Sequence, residues 1–280
     1  MRILAVDPTP FDALPVLNAA GRGRIEAISY PVHRAAVDRL PEGLDAIVAA
    51  ADLQALEVPV GPYPPRLAGE ALAERLVGLA ERGDLPRPER TGVLLAGDLY
   101  TVPDLKRRGG AGDVAAVWAA FAGRFRWVAG VLGNHDVLAP RDRVGVHVLD
   151  GEAHALDGLR VGGVAGIVGN PDRLNRQDAA TFLGKVEALL LEDVDVLVLH
   201  EGPDAAGPDG AHLRGNPDVR GALVGAGVPR PPLVVCGHTW WPAPLVELAG
   251  GVQVLKVDAR VVVLQRDQIP PSAFRTAPTP

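Results

Sequence analysis

The sequence is poor in the residues that would place it in several common classes of protein. It has one cysteine, Cys236, so no disulfide can form within the chain, and a single thiol is typical of a reducing compartment. Lysine occurs only three times and the net charge is −6, which argues against a broad basic surface that would attract nucleic acid. We therefore expect a cytoplasmic protein that does not coat DNA or RNA.

Long apolar runs are also missing. No stretch reaches the length that spans a membrane, and the apolar run of residues 3–6 is too short for a signal peptide because Asp7 follows at once. Hydrophobic residues nevertheless make up 48% of the 280 residues, which is enough for a well-packed core. These features predict a globular protein that has no membrane partner.

Short apolar runs that end abruptly in a polar residue recur along the chain. Such runs are typical of strands buried on both faces, and helical patterns over residues 67–82 and 114–125 lie between them. Strands that alternate with helices predict an α/β protein whose ligand site lies at the carboxyl ends of the strands. The runs are followed by Asp7, Asp52, Asp98, Asn134, His200 and His238.

Residues 144–168 have a different pattern. Two Asp-Gly pairs, at 150–151 and 157–158, separate short alternating segments. This arrangement predicts antiparallel hairpins and the start of a second, mixed sheet. At the end of the chain, residues 270–280 are rich in proline and threonine, and we expect them to form a flexible tail.

The Gly-Asn-His-Asp sequence at 133–136, directly after a predicted buried strand, is the most specific motif. By itself it could be a turn that leads into a capped helix. However, a Gly-Asp pair ends 36 residues upstream of Asn134, and two later strands end in His200 and in a Gly-His pair at 237–238. Four strand ends that each supply an oxygen or nitrogen donor predict a site for a divalent metal ion.

This order of motifs resembles the calcineurin-like metallophosphoesterase family. The family pattern is D-x-H, G-D, G-N-H-D or G-N-H-E, a lone His, and G-H-x-H. The resemblance runs from about Asp52 to a predicted strand over residues 253–264. It implies a two-sheet α/β/β/α sandwich with a pair of metal ions at the strand ends, and hydrolysis of a phosphomonoester or phosphodiester by metal-activated water.

The resemblance also implies a role for each matching residue. Asp98 matches the carboxylate that bridges the two metal ions, and Asn134, His200 and His238 match the remaining ligands of one of them. His135 matches the histidine that protonates the leaving group as a general acid. Manganese, iron or zinc would each suit this mixed donor set.

Two departures from the family pattern fall on the other metal ion. The first motif reads Asp52-Leu53-Gln54 where the family has D-x-H, and the last motif ends in Trp240 where the family has a second His. Asp52, Asp98 and the side-chain oxygen of Gln54 would remain for this ion, whereas tryptophan cannot ligate. We therefore expect one tight divalent ion per chain and a weakened second site.

Asp7 is an alternative first-motif residue because it also follows a predicted strand. Asp52 is preferred, since the 46 residues that separate it from Asp98 leave room for one helix, whereas the 91 residues from Asp7 would demand an inserted strand. On this prediction a single domain contains an N-terminal βαβα extension (residues 1–44), a phosphoesterase core (45–269) and the tail.

Four weaker candidates have two interpretations each. Arg173 and Arg176 would either clamp a phosphate or lie on a solvated loop. Trp240 would either stack on an aromatic leaving group or pack against the sheet. Lys256 would either replace some of the lost positive charge or simply end its strand.

Two other functions fit part of this pattern. A catalytically inactive relative would bind a phosphorylated ligand as a sensor, but such a protein has little use for the general acid. A nuclease is disfavoured by the acidic net charge. The sequence thus predicts a metal-dependent phosphoesterase that acts on a small phosphorylated substrate.

Overall fold

A computed structural model describes residues 1–59, 64–107, 109–207, 209–225 and 232–266. The predicted tail, and residues 267–269 of the predicted core, lie outside these ranges. The described residues form a nine-stranded sheet, a six-stranded sheet and three two-stranded ribbons, together with four α-helices. None of the helices in these ranges is both long enough and apolar enough to cross a membrane.

The helices and strands follow one another along the chain in this order. The first half contains β1 (Ile3–Val6), β2 (Asp12–Gly21), β3 (Arg24–Val37), β4 (Ala46–Ala51), β5 (Leu56–Glu57), α1 (Ala68–Glu81), β6 (Thr91–Leu95), β7 (Gly112–Asp113), α2 (Ala115–Ala122), β8 (Trp127–Gly130), β9 (Asp136–Val137) and β10 (His147–Val148). The second half contains β11 (Ala153–Leu156), β12 (Leu159–Val164), β13 (Ile167–Val168), β14 (Arg176–Gln177), α3 (Ala179–Leu191), β15 (Val196–Glu201), β16 (Ala205–Ala206), β17 (His212–Leu213), α4 (Pro217–Gly225), β18 (Leu233–Gly237), β19 (Leu245–Glu247), β20 (Gln253–Lys256) and β21 (Arg260–Arg266).

The nine-stranded sheet has the order β10-β8-β6-β4-β21-β3-β2-β5, with β1 also paired to β3. Strands β4, β6, β8 and β10 run parallel to one another. The predicted helices are confirmed as α1 and α2, whose apolar side chains pack on the outer face of this sheet. Leu72, Leu76, Trp118 and Phe121 are buried there.

The six-stranded sheet has the order β11-β12-β15-β18-β20-β19, and its four middle strands are parallel. Helices α3 and α4 cover its outer face through residues such as Phe182 and Leu223. A third buried cluster, which includes Ile47, Val131 and Val235, joins the inner faces of the two sheets. The layers are therefore helix, sheet, sheet, helix, as the α/β/β/α prediction states.

The prediction of helices in the N-terminal extension is wrong. Residues 1–44 are all described and contain three strands and no helix. Strands β2 and β3 form a long antiparallel hairpin, and β3 pairs with β21, so this segment widens the first sheet. The hairpin reverses at residues 21–23, where Gly21 and Gly23 adopt φ of 79° and 70°.

The predicted strand over residues 253–264 is in fact two strands in different sheets. β20 pairs with β18 in the second sheet, whereas β21 pairs with β4 and β3 in the first. Residues 257–259 carry the chain across, and Ala259 has a left-handed φ of 50°. This crossing brings Asp258 beside Ala51, at the end of β4.

The predicted hairpin turn at 157–158 is confirmed, because β11 and β12 are antiparallel and meet there. The segment before it differs from the prediction. β10 joins the first sheet, in parallel with β8, so the second sheet begins only at β11.

Candidate metal centre

The polar residues that follow the buried strands lie together where the ends of the two sheets meet. Asp52 follows β4, and Asp98 comes shortly after β6. His200 lies near the end of β15, and His238 follows β18 in the other sheet. Because the two sheets face each other, these ends supply donors from opposite sides of one site.

Four predicted ligands of one metal ion are close to one another. Ligand atoms of Asp98, His200 and His238 all lie within 4.8 Å of each other. The Nε2 atom of His200 is 3.5 Å from Oδ2 of Asp98 and 3.3 Å from Oδ1 of Asn134. The structure thus brings together the carboxylate, amide and imidazole donors that the sequence places at four separate strand ends.

The backbone is strained at the residues that present these donors. Asp52 and Asp98 both adopt a φ of 55°, and His238 adopts a φ of 71°. Left-handed backbone is uncommon for residues other than glycine, and it is concentrated at functional sites where the surrounding structure enforces it. Here it turns each side chain toward the site immediately beyond a strand.

The glycine that precedes each of three predicted ligands allows two loops to touch. A Cβ on Gly97 would lie 2.5 Å from the backbone nitrogen of Gly133 and 2.8 Å from Nδ1 of His200. A Cβ on Gly133 would collide with the backbone and carboxylate of Asp98, and one on Gly237 would collide with the carboxylate of Asp52. At each of the three pairs the glycine therefore leaves room for another part of the site: the backbone of a neighbouring loop at Gly97 and Gly133, and the Asp52 carboxylate at Gly237.

The imidazoles at the site are oriented through their Nδ1 atoms. In His200, which is fully buried, Nδ1 donates to the carbonyl of Ala96 at 2.8 Å, so Nε2 faces Asp98. In His135, Nδ1 donates to the carbonyl of Gly110 at 2.6 Å, and Nε2 is 3.9 Å from Oδ2 of Asp98. Because a carbonyl can only accept, both rings hold a proton on Nδ1 and direct Nε2 toward the cluster.

Burial concentrates negative charge at this point. Burial and the nearby carboxylates of Asp258 and Asp98 raise the pKa of Asp52 well above its usual range. Burial and the charge of Asp98 likewise raise the pKa of Asp136 to about 6. A positive charge placed among these groups would relieve both effects.

His200 is the protein's own source of positive charge here. Burial opposes protonation of its ring, but the carboxylates of Asp98 and Asp52 outweigh burial and raise the pKa of His200 to about 10. The same interaction with His200 overcomes the effect of burial on Asp98 and lowers the pKa of that carboxyl. Burial and the charge on His200 lower the pKa of His238 to about 4. The neutral ring therefore has a free electron pair for a metal ion.

The donor set fits a divalent metal ion. Ligand atoms of one carboxylate and two imidazoles lie within 4.8 Å of one another, an amide oxygen lies 3.3 Å from one of the imidazoles, and a cation would offset the buried carboxylates. Such mixed oxygen and nitrogen donors suit manganese, iron or zinc. Binding of the ion would displace the proton from Nε2 of His200.

The residues that would hold the second ion make hydrogen bonds within the protein. Gln54 donates from Nε2 to Oδ2 of Asp98 at 3.1 Å, and Asp52 accepts from the backbone nitrogen of His238 at 2.9 Å. Asp52, rather than Asp7, is the residue that the structure places against His238. The side chain of Asp7 instead accepts from the backbone nitrogen of Thr9 at 3.0 Å.

Among the described residues, the weaker candidates Arg173, Arg176 and Trp240 make no contact with the cluster of predicted metal ligands. Arg173 and Arg176 lie on the loop around β14, and neither has a carboxylate within 4.0 Å in the described part of the chain. Trp240 is 60% exposed, and its ring lies 5.8 Å from the guanidinium carbon of Arg260. Packing against the sheet is therefore wrong for Trp240.

Lys256 is the last residue of β20, as one of the two interpretations states, and it lies away from the solvent. It is fully buried, with Nζ 3.7 Å from Sγ of Cys236 and 5.1 Å from the ring centre of Trp241. Cys236 and Trp241 belong to the apolar cluster beneath α3 and α4, so this ammonium lies on the outer side of the second sheet.

Sequence reasoning did not assign three residues near the site, two of which connect its loops by hydrogen bonds. Asp136 accepts from the backbone nitrogens of Leu99 and Gly133 at 2.7 and 2.9 Å, which ties the two ligand loops together. Asn175 donates to the carbonyls of Gly133 and Asp136, each at 2.7 Å. Asp258 follows an apolar run, as the other site residues do, and division of residues 253–264 into two strands would have revealed it.

Comparison with known proteins gives only distant likenesses. The sequence matches no model of a known protein family and no curated relative. Among solved structures, it is similar to a Staphylococcus aureus protein assigned as a 5'-nucleotidase, with 15% identity and a TM-score of 0.46 over 80% of this chain and 51% of that one. It is also similar to the sulfate thiohydrolase SoxB of Thermus thermophilus, with 14% identity and a TM-score of 0.38 over 82% and 58% of the two chains. The chain thus spans little more than half the length of either structure.

His238→Ala tests the donor cluster. We expect the variant to fold but to lose bound metal, because one of four donors is removed from a partly open position. His154→Ala is the matched control, since His154 is exposed on β11. Elemental analysis after gel filtration measures the metal, and a normal metal content in the His238 variant would remove this residue from the ligand set.

Gly133→Ala tests the close approach of the loops. The added methyl would displace Asp98, so we expect a loss of about 1–3 kcal/mol in the free energy of unfolding, together with weaker metal binding. Gly184→Ala is the control, because Gly184 lies within α3 with no atom near its missing Cβ, and it should gain about 0.5–1 kcal/mol. Urea unfolding of both variants distinguishes the two outcomes; equal effects would contradict the packing argument.

Gln54→His tests the weakened second site. The native chain should bind one tight divalent ion, because Gln54 donates to Asp98 instead of offering an electron pair toward it. An imidazole at this position should increase the affinity for a second ion, whereas Gln54→Ala should not. Equilibrium dialysis against manganese or zinc counts the ions, and two tight ions on the native chain would refute the asymmetry.

Proposed function

We propose that this protein is a metal-dependent phosphoesterase. The observation that supports the proposal most strongly is the convergence of Asp98, Asn134, His200 and His238 around one position, with His135 at its edge. When bound there, a divalent ion supplies Lewis acidity toward the phosphoryl oxygens and toward water. The order of motifs along the sequence supports a phosphoric ester as the substrate class.

His135 is the proposed general acid. Its ring is 31% exposed, so a leaving group can reach it, and its backbone nitrogen donates to Oδ1 of Asp98 at 3.0 Å. The hydrogen bond from Nδ1 to Gly110 fixes the ring and leaves Nε2 as the atom that gives up a proton. This nitrogen lies 3.9 Å from Oδ2 of Asp98, at the edge of the proposed metal position.

Asp98 and Asn134 have positioning and binding roles in this proposal. Asp98 accepts a hydrogen bond from the His135 backbone through one oxygen and faces His200 through the other, so it supports both the acid and a metal ligand.

Arg173 and Arg176 are the proposed phosphate contacts. Their guanidinium groups face no carboxylate within 4.0 Å in the described ranges, and Asn175, between them in sequence, attaches their loop to residues 133–136.

His135→Gln tests the role of the general acid. The variant should retain its metal, and its turnover should fall by about 10²–10⁴-fold for an ester with a poor leaving group, the usual contribution of general acid catalysis. For 4-nitrophenyl phosphate the loss should be smaller, because that leaving group needs little protonation. Equal losses with both esters would assign His135 another role.

The same assays test the proposal as a whole. Metal-loaded protein is incubated with a generic monoester and a generic diester, and release of phosphate or alcohol is followed with and without chelator. Turnover that depends on the ion and fails in the His238→Ala variant is expected. Binding of a phosphate ester without any turnover would identify a sensor instead.

A further inference from the structure

A cleft of about 570 Å³ lies between strands of the first sheet and the segment that follows His238. We name it the Trp240 cleft; its walls come from three segments, around Asp7, around His33 and from Trp240 to Leu245, with Arg260 among the lining residues. Volumes of this size are typical of sites that bind small molecules. None of the proposed catalytic or metal-binding residues lines it.

Two of its walls are attached directly to the metal centre. Trp240 is two residues beyond His238, which leaves its Cα within about 7 Å of the Cα of that ligand. Arg260 pairs with Ala51 in the first sheet, and Ala51 is followed by Asp52, which accepts from the His238 backbone. A molecule held in the centre by a phosphoryl group can therefore extend into this cleft.

Arg260 is a buried cation without a carboxylate partner. The residue is 6% exposed, it donates from Nη2 to the carbonyl of Trp241 at 2.6 Å, and no carboxylate in the described ranges lies within 4.0 Å of it. A guanidinium has five N–H donors, so most of its donor capacity is unused. No nitrogen of Arg260 is a buried atom without a hydrogen-bond partner, so its remaining donors are open to solvent.

Trp240 adds an apolar, aromatic surface beside the cationic Arg260. It is a largely exposed indole, whereas the other tryptophans, Trp118, Trp127 and Trp241, are buried. Pro242 and Pro244 line the same cleft and add apolar surface. The Arg260 guanidinium carbon lies over one face of the indole, 5.8 Å from the ring centre. The other face is left for stacking, and the guanidinium offers donors to a hydrogen-bond acceptor nearby.

We infer that the Trp240 cleft binds the leaving group of the substrate, and that this group carries a planar aromatic ring with hydrogen-bond acceptors. The ring stacks on the free face of Trp240, and an acceptor of the leaving group takes an N–H of Arg260. This inference rests on the proposed function for the identity of the bond that is cleaved. It adds the chemical class of the group that leaves.

Binding to metal-free protein tests the cleft without any need for turnover. The full chain is titrated with adenosine, which has a planar aromatic ring with acceptors, and with ribose, which has no aromatic ring. Adenosine should quench the fluorescence of the exposed tryptophan, and ribose should leave it unchanged. Trp240→Leu should abolish the quenching and weaken adenosine binding, measured by calorimetry, by about 10- to 100-fold.

Two control variants separate the cleft from general effects on the fold. Leu191→Ala replaces another exposed apolar side chain, on α3, and should bind adenosine normally. Arg260→Gln should weaken adenosine binding; if this variant does not fold, the exposed position of Trp240 leaves the first variant usable. Adenosine binding that persists in Trp240→Leu would overturn the inference, and so would no adenosine binding by the native chain.

Two further results distinguish the inference from the function on which it rests. If inorganic phosphate binds in an Arg260-dependent way and adenosine does not, the cleft binds an anionic group and the aromatic assignment is wrong. With metal present, Trp240→Leu should reduce the ratio of kcat/KM for phenyl phosphate over that for 2-glycerophosphate by about tenfold. Adenosine binding without turnover of any phosphoester would refute the phosphoesterase proposal and leave the ring-binding cleft standing.

Discussion

The burial of the Asp98 carboxylate is the constraint on which the rest of the site depends. The residue is 3% exposed, and a buried carboxylate is costly unless donors and positive charge surround it. One oxygen accepts from the backbone of His135 at 3.0 Å, and the other from Gln54 at 3.1 Å with His200 beside it. Each of these partners lies at the end of a different strand, and the strands belong to both sheets. The Asp98 carboxylate therefore connects the two sheets at this edge.

That arrangement requires the loops to approach more closely than side chains normally allow. Gly97 packs against Gly133, Gly133 packs against Asp98, and Gly237 packs against the carboxylate of Asp52. Asp136 then joins the first two loops through hydrogen bonds to their backbone nitrogens. The site is therefore built mainly from backbone packing on rigid strands, which keeps donor positions fixed before any ion or substrate arrives.

The sequence predicts this site better than it predicts the connections around it. Polar residues after apolar runs identify strand ends, and parallel strands bring such ends together, so Asp98, Asn134, His200 and His238 can be found without a structure. The N-terminal hairpin and the crossing at residues 257–259 depend on pairing between distant strands, which local patterns do not encode. Asn175 could not be assigned for the same reason, because its role comes from hydrogen bonds to residues 133 and 136, far away in sequence.

Each of the two departures from the resembled pattern replaces an imidazole. An imidazole at position 54 would offer an electron pair to a second ion, whereas the neutral Gln54 amide donates a hydrogen bond to the Asp98 oxygen that such an ion would approach. Trp240, where the pattern has a histidine, lies beside Arg260 and lines the cleft. Under the proposed function, a single ion and His135 would carry out the chemistry, while Gln54 and Trp240 take the sequence positions of the two missing imidazoles. The inferred cleft would then select the leaving group on the side where a second ion is held weakly.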